Sequence, residues 1–215
     1  MRMEQPATIP FSGEAGEQGM VLEGLHVPAP DALDGASAGA VIAPPHPLYG
    51  GNMLHPVCTE LALRLQTAKI ASLRFNWRGA GASAGSPSGE PADAAADYAA
   101  ALDFMEATVD GPIQACGYSW GAATAVAASR GRPRVRKLVL VAPPAAMLDG
   151  EAFADFKGDV FVAVGDHDDL ADPAALRKLV EGRARVHFEE LKGTEHFFAT
   201  GTVALGRSFE DWLTG

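Results

Sequence analysis

Only two cysteines occur in the chain, Cys58 and Cys116, and they do not form a CxxC pair. Both sit among apolar neighbours and read as small core residues, which argues against a disulfide framework or a thiolate-bound metal. No run of eighteen consecutive apolar residues exists, and Met1 to Gly19 has no apolar leader segment. Neither a membrane span nor a secretory signal is therefore expected, and the cytoplasm is the expected location. Basic side chains are scarce as well: 17 Lys and Arg stand against 27 Asp and Glu, a net charge of −10. Such a surface repels phosphate backbones and anionic bilayers, so neither nucleic acid nor membrane is an expected partner.

What the chain does have is enough apolar material, 47% of 215 residues, for one substantial core. That size fits a single domain spanning 1–215, with 1–19 as a partly flexible N-terminal segment. Short β-prone pieces at Ala7 to Phe11 and Met20 to Val27 suggest an antiparallel start. From Ala40 onward, strands alternate with helices. The expected strands are Ala40 to Ala43, Lys69 to Phe75, Ile113 to Cys116, Lys137 to Val141, Val160 to Val164 and Arg185 to Glu190. The expected helices run through Leu54, Val57, Leu61 and Leu65, then over Asp93 to Ala107, Ala122 to Ser129, Pro173 to Val180 and Val203 to Trp212. This alternation predicts an α/β fold: a mostly parallel sheet with helices on both faces and a site at the carboxyl ends of the strands. About eighteen residues separate Val141 from Val160, too few for a lid domain. An open cleft follows.

The pentapeptide G-x-S-x-G occurs twice, in different settings. Gly81 to Gly85 is followed by Ser86-Pro87-Ser88-Gly89-Glu90-Pro91, where no helix can start at once, and reads as a flexible loop. Gly117-Tyr118-Ser119-Trp120-Gly121 directly follows an apolar strand and directly precedes a helical run, the setting of a strained nucleophile elbow. Ser119 is the candidate nucleophile, and Trp120 N–H, at the head of the next helix, is the first candidate oxyanion donor.

A hydroxyl needs a base, and the base needs an orienting acid. Of six histidines, His196 lies in a loop after the last strand and is the candidate base. His187 falls within a strand, His26 precedes the regular sheet, His55 falls in a helix and His46 in another strand-end loop; all four read as structural. Asp168 is the candidate acid, on the turn after the strand ending at Val164, with Asp166 and Asp169 as alternatives and Asp172 as a helix cap. No metal or organic cofactor is required by this constellation.

With these residues assembled, the chain resembles the α/β-hydrolase superfamily, and within it small capless bacterial serine hydrolases, of dienelactone-hydrolase size. The resemblance rests on Pro45 to Met53, Leu73 to Ser83, the elbow Gly117 to Gly121, and Gly193 to Phe198. It implies the G-x-x-D turn Gly165 to Asp168 as the source of the acid. It also implies Leu48 N–H as second oxyanion donor, with Tyr49 next to it as a substrate-binding residue. Asn76 and Arg78 fall in a segment that braces the active-site loops in relatives. The dienelactone branch uses cysteine, whereas this elbow carries Ser119. The expected activity is hydrolysis of a small or medium carboxylic ester, with a thioesterase or a non-catalytic binding protein of the same fold as alternatives. The expected partner is a small-molecule ester or thioester, and a homodimer is left open. Tyr49, Trp77, Trp120 and Phe197 or Phe198 are candidates either to line the pocket or to pack.

Overall fold

The computed structural model describes residues 3–11, 19–29, 37–148 and 150–215. Its centre is an eight-stranded sheet of order β1-β2-β4-β3-β5-β6-β7-β8, with β1 Gln5–Phe11, β2 Met20–Val27, β3 Gly39–Ala43, β4 Ala71–Phe75, β5 Ile113–Tyr118, β6 Val135–Val141, β7 Asp159–Gly165 and β8 Val186–Leu191. The first two strands pair antiparallel, as does β2 with β4; from β4 to β8 every neighbour is parallel. Of the expected partly flexible segment, 1–2 and 12–18 lie outside the described residues, and Gln5–Phe11 is strand.

Among the described residues six α-helices accompany the sheet: α1 Pro56–Thr67, α2 Pro91–Thr108, α3 Trp120–Ala128, α4 Gly150–Asp155, α5 Pro173–Val180 and α6 Thr202–Thr214. The pleat of each strand sends alternate side chains to opposite faces. Val41 and Ala43 accordingly pack with Tyr98, Leu102 and Ala125 of α2 and α3. Ala40 and Ile42 pack with Leu61, Leu65 and Phe209 of α1 and α6. Because both faces are covered, β3 reads as the unbroken apolar run GAVIA, and all five of its residues are buried. The connection from β6 to β7 holds, among the described residues, a 3-10 turn, Ala145–Met147, and the six-residue α4, and is too short for a lid domain. Among the described residues no helix is long and apolar enough to cross a membrane.

The differences from the expected boundaries have local causes. The strand expected from Lys69 begins at Ala71, because Lys69 adopts φ 61° and closes the end of α1, its N–H bonding Gln66 O. His55 precedes α1 instead of lying in it: Pro56 takes the first helical position, and His55 Nδ1 accepts the Val57 N–H. At the elbow, β5 runs two residues beyond Cys116, and α3 starts at Trp120 instead of Ala122.

Candidate active site

Ser119 occupies the one residue between β5 and α3, with φ 54° and ψ −118°. A positive φ is costly for a side-chain-bearing residue and persists where the surroundings over-determine it. Here its N–H is held by Val141 O at 2.8 Å, and its carbonyl accepts from Ala122 and Ala123. The flanking glycines are needed because strand and helix nearly touch: a Cβ on Gly117 would lie 2.3 Å from the Gly121 carbonyl, and one on Gly121 would lie 2.5 Å from Ala43 O. Gly117→Ala must therefore push α3 off the sheet. It is expected to destabilise by about 1–3 kcal/mol, lowering the melting temperature by roughly 2–12 °C in a domain of this size; a thermal melt checks this.

The hydroxyl of Ser119 lies 2.9 Å from His196 Nε2, and His196 Nδ1 lies 2.8 Å from Asp168 Oδ2 and 2.9 Å from Oδ1. A carboxylate only accepts, so Nδ1 carries the proton and donates it to Asp168, leaving Nε2 as the acceptor facing Ser119. All three side chains are buried. Asp168 Oδ1 also accepts the N–H groups of Leu170 at 2.9 Å and Ala171 at 2.7 Å. These bonds orient its carboxylate independently of the histidine.

The other acids of the turn are committed elsewhere: Asp166 accepts from Thr194 N–H, Asp169 is exposed, and Asp172 caps α5 through Ala174 and Ala175 N–H. The histidine loop folds back because Thr194 is fully buried against Gly165 and Gly201, where added Cβ atoms would come within 2.1 and 2.2 Å of its atoms. Tyr118 then donates its hydroxyl to His196 O at 2.7 Å, a strut across 78 residues of sequence. Burial, followed by the charge of Asp168, raises the Tyr118 pKa, which keeps the phenol a donor.

Trp120 N–H heads α3 and is one of the amides the helix itself cannot satisfy. Leu48 N–H is different. It sits on the 3-10 turn Pro47–Tyr49 and donates to His46 Nδ1 at 3.2 Å, so a substrate oxygen would have to displace that bond to use it. Partial burial lowers the His46 pKa, and its ring lies 4.5 Å from Trp120 and 4.9 Å from Tyr49. Tyr49 itself is 89% exposed. Three of the aromatic candidates pack in the core: Trp77, Trp120 and Phe198 are all buried, and Trp77 Nε1 donates to the carbonyls of Pro44 and Pro45, anchoring the loop after β3.

The segment from Asn76 to Arg78, expected to brace the active-site loops, does so through partners that the sequence did not mark. Asn76 Oδ1 accepts Met53 N–H at 2.8 Å while its Nδ2 donates to Glu23 at 2.8 Å, and Arg74 donates to Met53 O, so β2 and β4 together pin the far end of the His46 loop. The second G-x-S-x-G belongs to this brace. Ser83 is buried, accepting Glu23 N–H and donating to Asn76 O, and the loop read as flexible is thus tied to two strands. Arg78 lies alongside, clamped by Asp97 and Asp93. His55 stacks on Tyr118 at 4.6 Å, and its pKa is lowered by burial and then by the nearness of His196.

The two cysteines lie in the core under the elbow. Complete burial pushes the Cys58 thiol up to about 12 and raises that of Cys116 as well. Neither is expected to react with a thiol reagent at pH 8 in the native protein, whereas both should react in denaturant; native labelling at the unfolded rate would contradict the packing. A cavity of about 590 Å3 lined by Val126, Arg132, Val135 and Phe156 opens at the amino ends of the strands and holds no residue of the serine site.

Comparison with known proteins agrees with this fold. The serine aminopeptidase S33 family matches residues 50–150, which include the elbow but stop short of Asp168 and His196. An uncharacterised protein of Rickettsia prowazekii is 27% identical over 185 residues, 81% of this chain and 77% of its own. The structure of an α/β serine hydrolase homologue from Coxiella burnetii is 26% identical, covers 99% of this chain and 98% of its own, and superposes with a TM-score of 0.81. A Xanthomonas campestris serine hydrolase without a lid shares the fold at a TM-score of 0.80, covering 98% and 94% at 24% identity. With the elbow, the lidless sheet and these relatives in agreement, the chain belongs to the α/β-hydrolase superfamily and is a serine hydrolase of that fold.

Proposed function

We propose that the protein hydrolyses small or medium carboxylic esters by two-step acyl transfer on Ser119. The observation that carries the reading is the continuous hydrogen-bonded chain from Ser119 Oγ through His196 to a doubly amide-anchored Asp168. As Oγ bonds to the ester carbonyl carbon, its proton passes to Nε2, and Asp168 stabilises the imidazolium. The carbonyl π electrons move to oxygen, which meets Trp120 N–H and, once the bond to His46 is displaced, Leu48 N–H. Collapse of this intermediate breaks the bond to the alcohol oxygen, which takes the proton from Nε2. Water repeats the sequence in reverse, frees the acid and restores the serine.

No step calls for a metal or organic cofactor. The short connection between β6 and β7 leaves the cleft open, which favours small or exposed substrates. A thioester is the second reading, on the same residues. Short-chain p-nitrophenyl esters test the proposal. Saturable turnover with kcat/KM of at least about 10⁴ M⁻¹ s⁻¹ is expected, exceeding that for matched acyl thioesters. A folded wild-type protein inert to every ester would overturn it in favour of a binding role.

A further inference from the structure

Of the eight large apolar side chains left exposed among the described residues, Met3 precedes β1 and Val203 lies in α6; the other six, Leu48, Tyr49, Leu54, Met147, Leu170 and Phe197, lie on connections that follow the carboxyl ends of strands, the end at which Ser119 sits. Two of them are joined to the reacting groups through ring contacts. The Tyr49 ring lies 4.9 Å from His46, which lies 4.5 Å from Trp120, the residue after the nucleophile. The Phe197 ring meets the His196 imidazole edge-on at 5.5 Å and is 68% exposed.

Both rings stand on fixed backbone. Tyr49 N–H and Gly50 N–H close the 3-10 turn onto His46 O and Pro47 O, each at 3.1 Å. The Phe197 turn is fixed by the Glu195 carboxylate, which accepts Phe197 N–H at 2.8 Å and Ala199 N–H at 2.7 Å. An aromatic ring held rigid and left wet beside a nucleophile offers contact area at little entropic cost.

The chemistry of the acyl transfer separates the two. His196 Nε2 hands its proton to the departing alcohol oxygen, so the alcohol occupies the imidazole side of Ser119, where Phe197 stands. The carbonyl oxygen turns to Trp120 N–H, and the acyl substituent then extends away from the imidazole, along the wall made by Trp120, His46 and Tyr49. We propose that the substrate is an ester apolar on both sides of the bond, its acyl chain read by Tyr49 and its alcohol read by Phe197. This rests on the ester-hydrolase reading above and adds to it a division of specificity.

Two substrate series on three proteins test it. p-Nitrophenyl acetate, butyrate and hexanoate vary the acyl group; ethyl and benzyl acetate vary the alcohol. A fully buried methylene contributes about fourfold in kcat/KM, so partial burial of the chain predicts roughly a tenfold rise from acetate to hexanoate in the wild type, and benzyl acetate should exceed ethyl acetate. Tyr49→Ala is expected to flatten the acyl series and keep the benzyl-to-ethyl ratio; Phe197→Ala is expected to do the reverse. Both side chains are exposed, so their removal opens no cavity. An active wild type whose ratios respond to neither variant, or in which each variant lowers both ratios together, overturns the division while leaving the ester reading intact. A wild type inert to both series overturns the ester reading and this assignment with it.

Discussion

Replacing Ser119 with alanine is expected to lower kcat toward short-chain esters by about 10⁶-fold, to near the limit of detection. The size of the effect follows from the geometry. Ser119 Oγ is the only atom of the elbow that can bond to a carbonyl carbon within reach of His196 Nε2, at 2.9 Å. Its loss removes the whole covalent pathway and leaves only water attack assisted by binding and by the Trp120 amide. The elbow should survive, since the strained φ of 54° is held by Val141 O, Ala122 N–H and Ala123 N–H, not by the hydroxyl. An unchanged melting temperature with lost turnover is the expected pairing; retention of even one-hundredth of the activity would place the nucleophile elsewhere.

Asp168→Asn is expected to lower kcat by about 10⁴-fold with little change in KM. Leu170 and Ala171 N–H already point at Asp168 Oδ1, at 2.9 and 2.7 Å, so an asparagine at this position must turn its carbonyl oxygen to them and its amino group to the histidine. His196 Nδ1 would then have to accept, the proton would move to Nε2, and Ser119 would face a donor where it needs an acceptor. Neighbouring Asp166 offers no rescue, because its carboxylate is engaged by Thr194 N–H. Steady-state kinetics check the prediction, and a loss below tenfold would mean that His196 is oriented by something other than this carboxylate.

Much of the site was legible because its parts announce themselves locally. The Gly117 to Gly121 pentapeptide sits between an apolar strand and an alanine-rich helix, and a positive φ at Ser119 is the consequence of that setting. Gly165 marks the end of β7 because Thr194 crosses it at a distance that excludes a Cβ. The Asp and His are near the ends of β7 and β8, adjacent strands, and parallel pairing delivers them to the same edge of the sheet.

What could not be read was long-range and polar. Nothing in the sequence couples Tyr118 to His196 O, or Met53 to Asn76 and Glu23, because one hydrogen bond between segments leaves no periodicity behind. The same limit applies to Leu48: the resemblance implied an oxyanion donor there, and nothing in it showed that the imidazole two residues earlier accepts the same N–H. Trp77 stayed open for another reason, since an aromatic ring suits a pocket and a core equally well; here the indole packs against Phe75 and Tyr98 and spends its N–H on the loop carbonyls.

The central claim is that Ser119 is a nucleophile activated by His196, and covalent capture tests it most directly. Native protein treated with a fluorophosphonate probe is expected to gain one adduct by intact mass, mapped to the peptide holding Ser119, and to lose esterase activity in proportion; Ser119→Ala should gain none. An unlabelled native protein, or an adduct on Ser83 or another residue, would contradict the account.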